Sequence, residues 1–282
     1  MRFRRSSVVL LAWALGVAVA VSSEGRIAVF EPGTITQPGR YVLVRNVGVF
    51  NTASQIIIAA NDVDLDLNGF TLAGTIPLRA TNVRGVTVHD GSIQAAEQAI
   101  MFFNVSELAL RRLVIESWDD CAVTLSTIDR GAVSETRILS HETGALCVTG
   151  STAIEIERNQ TSAAGVQVEC AGCRVAENLA GGGMFVAGSA NLVEGNVCRG
   201  APLADGLQIA GSWNQVIGNL LVGNGGFGLR FEDTATGNVF RGNTARGNAG
   251  GRASTCPPGN TDFCDLGSGN SSLGDNFLPG LQ

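Results

Sequence analysis

Five side chains in this sequence could do acid–base or cation chemistry together: Glu97, Asp119, Asp120, His141 and Glu142. They precede three short apolar runs, each opened by a small residue: Ala99 (AIMF), Ala122 (AVTL) and Gly144 (GALCV). Two positions before the small residue stand Glu97, Asp120 and Glu142. Three positions before it stand Ala96, Asp119 and His141. If the runs stack as neighbouring strands, the acids fall in one column about 4.8 Å apart. Two carboxylates at that spacing repel by roughly 1 kcal/mol in water, and by about 3.5 kcal/mol at an effective dielectric near 20. Shielded from water, such a column raises one carboxyl pKa or recruits a cation. Two chemistries follow. One carboxyl can donate a proton while another activates water, which splits a glycosidic bond. Alternatively, Glu97, Asp120 and Glu142 hold Ca2+ through their oxygens. Trp118, beside the acids, could stack on a sugar face. A third reading keeps them all as turn residues on a solvated edge, since Asp before a strand is ordinary turn chemistry.

The elements that would position these residues show in a repeat. A small residue followed by an alternating apolar stretch recurs at Ala99, Ala122, Gly144, Gly165, Gly183, Gly206 and Gly228, with spacings of 23, 22, 21, 18, 23 and 22. A second mark, Asn159, Asn178, Asn196, Asn219 and Asn243, recurs out of phase at 19, 18, 23 and 24. Two marks that drift together indicate one structural unit with slack in its loops. A strand-like alternation at this period, without helical segments, predicts one coil of a β-solenoid of about 8–10 coils. The inward residues are expected to be Ile100/Phe102, Val123/Leu125, Ala145/Cys147, Val166/Val168, Met184/Val186, Leu207/Ile209 and Leu229/Phe231. Cys147 then reads as a small buried hydrophobe. Met101, Thr124, Leu146, Gln167, Phe185, Gln208 and Arg230 are expected to face outward. Gln167 and Arg230 are the candidate ligand contacts on that face, with Trp118. The recurrent asparagines suit turns, where their amides can bond along a stack. In Asp62–Gly74, Val63, Leu65 and Leu67 share one face, and Asp90-Gly91 reads as a turn.

Domain organisation is read as a signal peptide (1–20), an N-terminal cap and first coil (26–75), regular coils (76–252) and a capping tail (253–282). Arg2, Arg4 and Arg5 precede an apolar run that ends in Ala-Val-Ala, which fits an export signal. A secreted or periplasmic protein is therefore expected, with no membrane span once the signal is cleaved. Cleavage leaves 16 arginines against 25 acids and no lysine, a net charge near −9. That balance argues against a nucleic-acid partner. Seven cysteines leave at least one unpaired within the chain. Cys256 and Cys264 are expected to form a local disulfide. The CxxC at Cys170–Cys173 reads as structural, since no βαβ context surrounds it.

The runs DVDLDLNGFTLAG and GVTVHDGSI, and the GN-type coils ending in DNFLPG, resemble bacterial right-handed parallel β-helix repeat proteins. They look like the pectin-lyase-like superfamily and the NosD-type periplasmic repeats. The resemblance covers Arg26 to the C-terminus and implies a substrate groove along one parallel sheet, beside the turn that precedes its strands. Trp118-Asp119-Asp120-Cys121-Ala122-Val123 is similar to the Asp-Asp segment of polygalacturonase-type hydrolases. Carry-over reaches Asp119 and Asp120 only. The hydrolase pattern has an acid on the preceding coil, where Glu97 or Gln98 stands here. It has a Gly-His-Gly on the following coil, where this chain has Glu142-Thr143-Gly144 with His141 displaced. Its Arg-x-Lys is replaced by Gln167-Val168-Glu169. The functional expectation is an exported solenoid that binds an extracellular or cell-surface carbohydrate. The alternatives are a polysaccharide hydrolase or lyase using the acid column, and a structural or protein-interaction solenoid.

Overall fold

Alternating apolar and polar residues build parallel walls, and tight corners join them. In the computed structural model the chain winds through about nine turns of a β-solenoid. The description covers residues 20–21 and 25–279, apart from 54, 119–120, 143, 163, 251–255 and 257–259. The proposed signal segment therefore lies almost wholly outside it. Among the described residues there is no helix, and so none long and apolar enough to cross a membrane.

Three parallel sheets form the walls. The first stacks Val123–Ser126 between 100–103 and 146–149, and continues through Gly165–Ala171, Met184–Ala187, Leu207–Ile209 and Leu229–Phe231. The second runs from Gly39–Leu43 through Val63–Asp66 to Gln215–Ile217 and Val239–Arg241. The third includes Thr71–Gly74, Arg137–Ser140, Val197–Arg199 and Thr244–Arg246. Each strand pairs with the coils before and after it, so each coil completes its neighbour's hydrogen bonds and covers its apolar face.

Six of the seven expected inward pairs are buried where expected, from Ile100/Phe102 to Leu229/Phe231. Ala145 and Cys147 are buried as well, but the register gives their inward places to other residues. Val123 pairs with Leu146 and Leu125 with Val148, so Leu146 and Val148 take the inward places. A register shift lies between Gly144 and Leu146, where Ala145 is the extra residue. One inserted residue sends every later side chain to the opposite face. Cys147 accordingly joins the outward column and forms a disulfide with Cys121 of the preceding coil. Leu146, expected outward, is 1% exposed. Val63, Leu65 and Leu67 point inward as their alternation requires.

Stacked amides hold the corners. The Oδ1 atoms of Asn178, Asn196, Asn219 and Asn243 each accept the backbone N–H of the asparagine one coil earlier, all at 3.0 Å. The left-handed residue at these corners is the one before the asparagine: Arg158 (φ 54°), Glu177 (56°), Gly195 (61°), Gly218 (63°) and Gly242 (63°). A second ladder runs Asn191–Asn214–Asn238–Asn270, and its earlier rungs are Ser151 Oγ and Cys173 Sγ. Close approach also dictates glycine on that side. A Cβ on Gly188 (φ 99°) would sit 2.0 Å from the Cys170 carbonyl oxygen, and one on Gly211 (φ 87°) 2.2 Å from that of Gly188.

The expected Cys256–Cys264 disulfide is present. The CxxC forms a disulfide closing one corner, a structural role. Cys198 is the free cysteine among the described residues. It lies fully buried in the third sheet, and burial pushes its thiol up to about 12. A thiolate-directed reagent is expected to label nothing in the native protein and Cys198 alone after unfolding without reductant. Native labelling would contradict this placement.

Candidate functional site

The outward row of the first sheet carries the site. Thr124, Cys147, Gln167, Phe185, Gln208 and Arg230 stand in register on successive coils. A groove of about 250 Å³ runs along this row, lined among others by Cys121, Gly144, Gln167, Phe185, Asp205 and Gln208. Its depth comes from small residues. Gly144 and Gly165 open their strands, and Gly182 and Gly183 precede Met184, all lining the groove. Asp205 sits on the next turn and forms one end. A Cβ on Gly183 would lie 2.3 Å from the Asp205 carbonyl oxygen, so glycine is required for the turns to nest.

Charges at that end pair with one another, although the buried Arg230 Nε has no hydrogen-bond partner. The Arg230 guanidinium faces Asp205 Oδ2 at 3.3 Å and Glu232 Oε1 at 3.1 Å. Asp205 Oδ1 accepts the Phe227 backbone N–H at 2.6 Å, and Gln208 donates to Glu232. Gln167 Nε2 donates to Glu169 Oε1 at 2.9 Å and remains exposed. The two expected contacts on this face thus differ: Gln167 is open to a ligand, whereas Arg230 is half-buried in ion pairs.

The acid column lies at the edge where the third sheet turns into the first. Ala99 donates its backbone N–H to the Ala122 carbonyl at 2.8 Å, and Ala122 to that of Gly144 at 3.2 Å, so these turns do stack. Glu97 and Glu142 are exposed on them, two coil steps or roughly 10 Å apart. Asp119 and Asp120, expected between them, lie outside the described residues. His141 stacks on Trp118, with ring centroids 4.6 Å apart and planes 15° from parallel. Phe50 meets Trp118 edge-on at 5.0 Å. His141 Nε2 lies 3.5 Å from Glu116 Oε1. The edge therefore combines an exposed aromatic cluster with several acids.

Phe185, Asp205 and Gln208 were not among the expected site residues. Phe185 and Gln208 share the outward column with Gln167 and Arg230, so the alternation alone could have found them. Asp205 stands one residue before its small residue instead of two, which hid it from the acid column.

A second polar cluster covers the outer face of the second sheet. His89 Nδ1 lies 2.6 Å from Asp90 Oδ2, and its Nε2 lies 2.9 Å from Asp64 Oδ1. Asp66, His89 and Asp90 bring their ligand-type atoms within 4.8 Å of one another. Each nearby carboxylate also faces an arginine: Arg26–Asp66 at 3.1 Å, Arg40–Asp64 at 3.6 Å, and Arg112 bidentate on Asp90 at 2.5 and 2.8 Å. The cluster is a charge-balanced clamp across the first coils, around the turn expected at Asp90 (φ 60°). The Arg112 hydrogen bonds, with help from His89 and against partial burial, hold the Asp90 carboxyl well below the usual carboxylate range. A depressed folded pKa contributes stability above the unfolded value near 4, and that contribution is lost as pH falls toward the folded value. Asp90→Asn is expected to lower the urea midpoint at neutral pH and to flatten its decline below about pH 4. Parallel pH profiles for the two proteins would contradict this.

Known proteins locate the fold. No curated protein matches the chain in sequence. The Dettilon tailspike protein superposes with a TM-score of 0.58 at 16% identity, over 90% of this chain and 59% of that one. ORF18 of Geobacillus virus E2 superposes with a TM-score of 0.42 at 12% identity, over 92% of this chain and 56% of that one. This chain therefore spans under two thirds of either protein. The model of the right-handed beta helix region matches residues 98–263, more than half of the chain and all the coils that line the groove. On that match and on the three stacked parallel sheets, the chain belongs to the right-handed beta helix family.

Proposed function

We propose that the protein binds an extended carbohydrate along the groove of the first sheet. The observation that carries this reading is the row Gln167–Phe185–Gln208, paired in register on adjacent coils. An aromatic side chain offers an apolar surface to the C–H face of a sugar ring. The flanking amides offer both donors and acceptors to hydroxyls. The coil repeat of about 4.8 Å presents these groups at regular steps, which suits a polymer. The tailspike likeness supports the fold on which such a face is built. The disulfides suit the expected secreted or periplasmic compartment.

The test is affinity electrophoresis and calorimetry against a polysaccharide panel, with Phe185→Ala beside the wild type. The expected result is binding to at least one polymer, weakened roughly tenfold by Phe185→Ala at unchanged thermal stability. Unchanged affinity in the variant would overturn the assignment to this row.

Degradation of the same polymer is the second reading, favoured by the Trp118–His141 stack beside Glu116 at the groove's edge. In it Glu97, Asp119, Asp120, His141 and Glu142 supply acid–base groups, or Glu97, Asp120 and Glu142 hold Ca2+. Mass spectrometry of digests with and without Ca2+ separates the cases. Shortened chains with added water indicate a hydrolase, unsaturated ends a lyase, and intact polymers binding alone. Asp120→Asn is expected to abolish any such activity without changing thermal stability.

A further inference from the structure

Resting on the carbohydrate reading of the groove, we infer that its ligand is a neutral polysaccharide and that chains bearing carboxylate or sulfate groups are rejected. Among the described residues, those lining the groove include no arginine and no histidine. Their one formal charge is the Asp205 carboxylate, which is already engaged by the Phe227 amide and by Arg230. Arg230 is the cation nearest in register to the row, and its guanidinium is divided between Asp205 and Glu232. Gln167 itself donates to Glu169, again an anion. An acidic sugar in the groove would meet amides, a phenyl ring and fixed carboxylates. It would lose hydration without gaining a charged partner. A site built for anions uses bidentate arginine, and here that residue is spent on the protein's own acids. The chain's formal charge of −6 adds a repulsive field at longer range. A neutral sugar meets none of these penalties and needs the donor–acceptor pairs that Gln167 and Gln208 present.

The experiment compares neutral polymers (dextran, mannan, xyloglucan) with acidic ones (polygalacturonate, alginate, hyaluronan) at low and high salt. Polygalacturonate is also tested beside its fully methyl-esterified form, which keeps the backbone and removes the charge. The expected result is binding to a neutral polymer that does not change with salt, and binding to every acidic polymer at least tenfold weaker. Gln167→Arg is expected to raise affinity for acidic polymers and to make that binding salt-sensitive. Gln167 is exposed and outside the core, so the variant keeps the fold. Tighter binding to acidic polymers by the wild type, weakening with salt, would overturn the inference while leaving the carbohydrate reading intact. A Gln167→Arg protein with unchanged selectivity would overturn it as well. Failure to bind any polymer of either class would overturn the carbohydrate reading itself.

Discussion

Asn219→Ala is expected to destabilise the protein by about 2–5 kcal/mol, because it removes several buried hydrogen bonds and leaves the buried Asn196 N–H without a partner. Asn219 is 1% exposed. Its Nδ2 donates to the Val193 carbonyl at 3.0 Å and to Asn243 Oδ1 at 2.9 Å. Its Oδ1 accepts the backbone N–H and the Nδ2 of Asn196, both at 3.0 Å. Alanine removes these bonds and the one to the Ile217 carbonyl at 3.2 Å, and offers no donor or acceptor in their place. The Asn196 N–H then stays buried and unpaired. Because each coil supports the next, the loss should reach beyond one corner. Denaturant unfolding measures it. A loss under about 1 kcal/mol would mean that the ladder is decorative.

Phe231→Ala is expected to cost about 3–5 kcal/mol, the usual range for deleting a fully buried phenyl. The ring is completely buried, with its centroid 5.1 Å from Phe240 and 6.3 Å from Phe263. Phe240 and Phe263 lie 5.6 Å apart and 28° from parallel. These rings fill the interior of the last described coils. Removing one leaves a void that the stacked strands cannot close. Leu203→Ala is the control: Leu203 is 96% exposed, and its loss should fall within about 0.5 kcal/mol. Equal effects for the two substitutions would contradict the described core.

Much of this core was readable in the sequence because period-2 alternation maps directly onto a wall with one dry face. The same logic failed at Ala145. A bulge changes no residue type and leaves the apolar pattern GALCV compatible with two registers. Only pairing with the coils above and below selects Leu146 over Cys147. The Cys121–Cys147 disulfide was hidden by that slip, since it needs Cys147 on the outer face. Stacking of Asn178, Asn196, Asn219 and Asn243 was visible in their spacing. Their continuation through Thr136, and the second ladder's use of Ser151 and Cys173, was masked by a change of residue type with the same hydrogen-bonding role. At the candidate groove, the alternation was enough to place Gln167 in the exposed outward row. The ion pairs of Arg230 were not legible, because Asp205 approaches it only through the turn geometry. The sequence treated His89-Asp90 as a turn. One of the carboxylates that bracket His89 is its neighbour Asp90, but the other, Asp64, lies 25 residues away, where one coil places it.

Hydrogen exchange of the protein with and without a bound neutral polysaccharide tests the central claim most directly. The account predicts new protection confined to 165–169, 184–187 and 207–209, with the outer face of the second sheet, around His89 and Arg112, unchanged. Protection centred on the second sheet, or none along the Gln167–Phe185–Gln208 row, would contradict it.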